Sequence, residues 1–173
     1  MTTTEGLAQV NTIATHYAFT VWGATSDFLI ILILLGAFYL FARYVGRGPF
    51  VGLLLAFYAG YAVYAMFPYD SMLPSAPAST ALWTRVGIYA AFVIIFYLIL
   101  RRVVVSDFLY IGLFGLIALS FLGAAFLLAL AFHTFPVSNL YAFTPAIAAL
   151  FAPAQYFFWW FAGPAVGLFF LAR

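Results

Sequence analysis

Between Asp27 and Arg43 the chain runs FLIILILLGAFYLFA without one charged side chain. A helix rises about 1.5 Å per residue and a bilayer's hydrocarbon core is about 30 Å thick, so apolar runs near this length mark spans. The pattern recurs along the 173 residues, of which 68% are hydrophobic and 6% charged. A soluble domain carries roughly 25% charged residues and could not solvate such a surface. The expected fold is all-α, a polytopic transmembrane bundle of five spans. The alternative is four spans plus a re-entrant or interfacial C-terminal segment.

The spans are expected at about 28–45, 50–67, 81–100, 108–132 and 154–172, in a single transmembrane domain over 28–173 with no room for a separate soluble domain. Residues 1–27 are too polar to span. Leu7, Val10, Ile13, Tyr17 and Val21 share one helical spacing, which fits an external amphipathic helix; a disordered tail is the alternative. The opening MTTTEGLAQV has an acid and no positive charge, so no cleaved signal peptide is expected.

GRGP after the first span reads as a tight turn, with Pro49 in the first turn of the next helix. PYDSMLPSAPAST, Pro68 to Thr80, reads as a loop. Arg43 and Arg47 flank the first turn, and Arg101 and Arg102 end the third span. The positive-inside rule puts these turns in the cytoplasm and the N-terminus outside. Arg173 joins them if the last segment spans. Arg85 is the exception, an interfacial arginine with Asp27 or Asp70 as its expected partner.

Cysteine is absent, which excludes disulfides and thiolate chemistry. A net charge of +2, held at helix ends, gives no reason to expect nucleic-acid binding. His16 and His133 are the only histidines and fall short of a zinc ligand set, so no metal, haem or other cofactor is expected. Glu5, Asp27, Asp70 and Asp107 all sit at helix ends or in tails. With no ionisable group in mid-membrane, a coupled transporter is disfavoured and no acid–base pair forms. Ser106 reads as a cap for the fourth span, and Ser120 as a hydroxyl bonded within its own helix. No catalytic residue is expected.

Small residues form the clearest pattern. Gly52, Ala56 and Gly60 recur every four positions, Gly112, Gly115 and Gly123 mark the fourth span, and Gly163 and Gly167 form a GxxxG. Such spacing lets backbones approach closely in lipid, within the chain or against another copy or membrane protein. Tyr58, Tyr61 and Tyr64 form a stripe that either packs between helices or lines a polar seam with His133, Asn139 and Gln155. Pro145, Pro153 and Pro164 break the last stretch. Either a short interfacial helix over Thr144 to Ala152 precedes a span kinked at Pro164, or the segment dips in and turns back.

The stretch DFLIILILLGAFYLFARYVGRGPFVGLLLAFYAGYAVYAMFPY resembles the N-terminal hairpin of the colicin V production protein type: an acid, a span, a Gly-Arg turn and a small-residue-rich span. That resemblance implies a bacterial inner-membrane protein of secretion or envelope homeostasis and brings no enzymatic residues. HTFPVSNLYAFTPAIAALFAPAQYFFWWFAGP departs from that pattern and looks like small bacterial membrane proteins with an aromatic C-terminal hairpin. The function expected is a non-enzymatic structural or assembly component in the bilayer, associating with itself or another membrane protein. The alternative is a transporter or channel component.

Overall fold

A computed structural model describes residues 25–68, 73–74, 77–103, 111–135, 137 and 141–171. The N-terminal segment 1–24, with Glu5 and His16, lies outside the described residues, as do Asp70, Ser106, Asp107, Asn139 and Arg173. The helices are α1 (Thr25–Tyr44), α2 (Arg47–Ala65), α3 (Ala78–Val103), α4 (Leu113–His133), α5 (Pro145–Phe151) and α6 (Ala154–Leu171). All but α5 are long and apolar enough to cross a membrane.

The first helix already includes Asp27, which is a helical residue and not part of a tail. Only Val45 and Gly46 separate α1 from α2. Gly46 adopts φ 120°, a conformation that side-chain-bearing residues rarely take, and this lets the chain reverse at once. Pro49 falls in the first turn of α2, where its missing N–H is not needed. Helix α3 exceeds its expected range at both ends, and Arg101 and Arg102 in its last turn complement the negative end of the helix dipole.

The fourth helix starts later than residue 108. Gly112, with extended backbone (φ −65°, ψ 167°), holds the N-cap position expected for Ser106. Ile111 packs fully buried ahead of it. Glycine's poor helix propensity fits this late start.

Glycine contacts give the helix directions. Gly60 lies against Val93 and Gly52 against Leu100, so α2 and α3 are antiparallel. Gly163 and Gly167 lie against Leu122, and Gly115 against Leu171, which makes α4 and α6 antiparallel. Leu54 touches Gly123, and Phe57 and Tyr58 meet Phe126 at ring-centroid distances of 6.2 and 4.9 Å, so α2 runs parallel to α4. Arg43, Arg47, Arg101 and Arg102 therefore gather at one end of the bundle, where α6 also finishes. Arg85 lies at the other end, beside Tyr64, Phe67 and Thr134.

Helix α4 is central, with Leu119, Phe126 and Leu130 buried to 1% exposure or less. Phe38 from α1 meets Phe57 edge-on at 5.8 Å, and Phe126 meets Phe161 of α6 at 5.3 Å, linking the helices through one aromatic core. The outward faces of α1, α3 and α6 are apolar, with Leu32, Ile33, Trp83, Ile94, Trp159 and Phe169 all more than half exposed. In lipid such faces need no further cover.

Candidate functional site

Polar side chains converge at the end of the bundle opposite the arginine cluster. The carboxylate of Asp27, in α1, is only 2% exposed. Its Oδ1 accepts a hydrogen bond from the Tyr141 hydroxyl at 2.8 Å. Its Oδ2 accepts from the Thr144 backbone N–H at 2.7 Å and the Thr144 hydroxyl at 2.6 Å. Thr144 is the N-cap residue of α5, yet its hydroxyl serves Asp27 and makes no cap bond. Pro145 at the first helical position removes one N–H that would need capping. The bond to Asp27 pushes the Tyr141 phenol above its ordinary pKa, because ionising it would set two anions side by side.

Of the two partners expected for Arg85, Asp70 lies outside the described residues and Asp27 is engaged elsewhere. Tyr141 and Thr144 take both its oxygens instead, with Arg85 beside the α2 and α4 ends.

Beyond Thr144 the helix breaks between α5 and α6, where Pro153 has no N–H to donate. Side chains serve the carbonyls at the break. The Leu150 carbonyl accepts from the Trp160 indole N–H at 2.9 Å, and the Phe151 carbonyl lies 2.9 Å from His133 Nε2. The acceptor on Phe151 assigns the imidazole proton to Nε2. His133 also packs on Phe157 at 4.6 Å, and Phe151 stacks on Trp160 at 4.9 Å. These contacts fold α5 back beside the first turns of α6, which then continues unbroken to Leu171. The C-terminal stretch is thus a short helix followed by one continuous helix.

Pro164 lies inside α6. One residue on, the Tyr58 hydroxyl of α2 donates to the Phe161 carbonyl and accepts from the Ala165 N–H at 3.1 Å. Phe161 and Ala165 are the pair that would close one helical turn, so Tyr58 is inserted in the ladder of another helix.

Of the proposed polar lining, Tyr61 packs on Phe161 at 5.3 Å, and Tyr64 packs on Tyr89 at 6.1 Å and Phe135 at 5.7 Å. Gln155 is exposed in the first turn of α6. The small residues Gly52, Gly60, Gly163 and Gly167 face other helices of the same chain, and Ala56 is fully buried. Ser120 is fully buried and donates to the Leu116 carbonyl of its own helix at 2.8 Å.

Tyr141, Thr144, Trp160 and Tyr89 (whose hydroxyl donates to the Phe57 carbonyl at 3.2 Å) escaped the sequence reading. An acid directly before a span was the one signal for Asp27. Nothing local pointed to its partners. Comparison with protein-family models, curated proteins and solved structures finds no match to this chain.

The arrangement can pin and splice helices. Asp27 accepts from three donors and is committed to them, and no nucleophile–base pair forms among the hydrogen bonds described.

Proposed function

We propose that the protein is a non-enzymatic, multi-pass structural or assembly component of a bacterial inner membrane, with its N-terminus outside. One observation carries the reading. The polar side chains inside the bundle are taken up by helix backbone: Tyr58 by α6, Tyr89 by α2 and Ser120 by its own helix. A conduit would need such groups to face a path. With the small-residue stripes packed inside the chain, the apolar outer faces remain for association, above all α3, with Trp83, Ile94, Ile95 and Leu98 exposed. The gathering of Arg43, Arg47, Arg101 and Arg102 at one end supports the orientation.

The absence of cysteine makes the test direct. Single cysteines at Trp83 and Ile94 are expected to crosslink in native membranes to another copy or another protein, while one at buried Leu54 does not. A chain that stays monomeric and partnerless from every α3 position would sink this reading.

A transporter or channel component remains the second reading, favoured by the broken backbone at Pro153, because such breaks at membrane depth are buried in protein or line a cavity. Its path would require His133 and Trp160 to leave the carbonyls they engage. Aqueous maleimide labelling of cysteines at Tyr58 and Tyr61 would establish it; protection of both would remove it.

A further inference from the structure

We propose that α6 is hinged at Pro164, and that its first half swings together with α5 about that point, with the Tyr58 hydroxyl as the pin of the closed position. Three observations meet there. Pro164 has no N–H to donate to the Trp160 carbonyl, so one rung of the α6 ladder is absent. The next rung, between Phe161 and Ala165, is engaged by Tyr58 of α2, which donates to the carbonyl and accepts from the N–H. Gly163 lies beside both, and after proline no residue holds a helix less well.

The two halves of α6 are held differently. Its buried residues, Pro164 and Leu168, lie at the hinge and beyond it. Past the hinge, Gly167 also lies against Leu119 and Leu122, and Leu171 against Gly115. From Ala154 to Gly163 no residue is buried. That first half is joined to α5 instead: the Trp160 indole N–H donates to the Leu150 carbonyl, and its ring stacks on Phe151. Helix α5 and the first half of α6 therefore form one unit.

Two ties besides Tyr58 join this unit to the rest of the bundle. His133 meets the Phe151 carbonyl midway, and Asp27 holds Thr144 at the far end. The Asp27 bonds limit the swing, while those of Tyr58 and His133 give way. The surface uncovered is apolar, because Phe151 clusters with Ala125, Leu128 and Ala129 of α4. Lipid tails replace such contacts without the penalty that water would impose.

The absence of cysteine opens a direct test by paired spin labels on the full chain in liposomes. One pair, Leu32→Cys with Phe158→Cys, reports the first half of α6, and Leu40→Cys with Phe169→Cys reports the second, all at positions at least half exposed. Phe158 lies about 9 Å before Pro164 along the helix, so a bend of about 20° moves it by about 3 Å. Adding Tyr58→Phe is expected to shift or widen the first-half distance by about that 3 Å, with the second-half distance unchanged. Adding Pro164→Ala as well, which returns a backbone donor, is expected to restore the narrow distance. A first-half pair that ignores Tyr58→Phe, a second-half pair that broadens equally, or a widening that survives Pro164→Ala would each overturn the proposal.

Should Tyr58→Phe fail to fold, the unmodified chain decides the matter on warming. The first-half pair is expected to broaden at a lower temperature than the second-half pair. Broadening of both at one temperature would mean that α6 moves only with the whole bundle, and the hinge would be refuted.

Discussion

The α2–α3 seam and the α4–α6 seam use the same device to different ends. In each, glycines bring two antiparallel helices close. At Gly60 an added Cβ would lie 2.8 Å from a Val93 methyl and 3.2 and 3.3 Å from Val93 backbone atoms. At Gly167 it would lie 2.6 Å from one Leu122 methyl and 3.2 Å from one on Leu119, both ends of flexible side chains. The first seam is backbone against side chain and backbone. The second yields more readily and involves a helix with Tyr58 inserted in its ladder beside Pro164, while Trp160 and His133 serve carbonyls of the neighbouring α5. Regular helices can be joined by shape alone, whereas broken ones need polar repair as well.

The largest expected effect falls at the end where the repaired region is tied to α1. Asp27→Ala strands the donors of Tyr141 and Thr144 and should cost about 3 kcal/mol in a denaturant titration, with Asp27→Asn roughly half of that. The Tyr141 phenol has its pKa raised in the folded chain, so this bond contributes fully below the ordinary phenol value near about 10 and is lost as pH rises through the folded-state value. Ultraviolet titration of Asp27→Asn should find the Tyr141 phenolate forming at lower pH than in the unmodified chain.

Next comes the direct contrast between seams. Gly60→Ala should destabilise by about 2 kcal/mol, because Val93 backbone cannot step aside, and Gly167→Ala by less than about 1 kcal/mol. Equal costs would break the comparison.

Smaller again is the splice. Tyr58→Phe should cost about 1 kcal/mol, and less in a Pro164→Ala background, where α6 regains a backbone donor and can close its own ladder. Additive effects would mean that Tyr58 and the proline act independently. Trp160→Phe, which removes the bond to the Leu150 carbonyl while keeping an aromatic ring against Phe151, should cost about 0.5 kcal/mol.

The regular seams were legible in the sequence and the repairs were not. A four-residue recurrence such as Gly52, Ala56 and Gly60 survives folding because it is a property of one helix face. The arginines at helix ends likewise needed only local reading. Tyr58 reaches Phe161 across 103 positions and Asp27 reaches Thr144 across 117, and no spacing within either segment encodes such a pairing. The prolines at 153 and 164 announced that donors were missing, yet not who would replace them. Gly112 shows the same limit on a smaller scale: Ser106 had the chemistry of a cap, and the helix started one turn and a half further on.

The bond between Asp27 and Tyr141 also carries a timetable. A ribosome adds roughly 5–20 residues per second, so the 114 positions between them represent roughly 6–23 s of synthesis. For that interval the carboxylate has no tyrosine or threonine to hold it and must keep to water or headgroups at the membrane surface. Tyr58 waits similarly for the last helix. The closing segment therefore arrives as a keystone: the earlier helices already stand in the bilayer with acceptors and donors exposed, and a chain truncated before Tyr141 would present those groups to the quality-control machinery of its membrane.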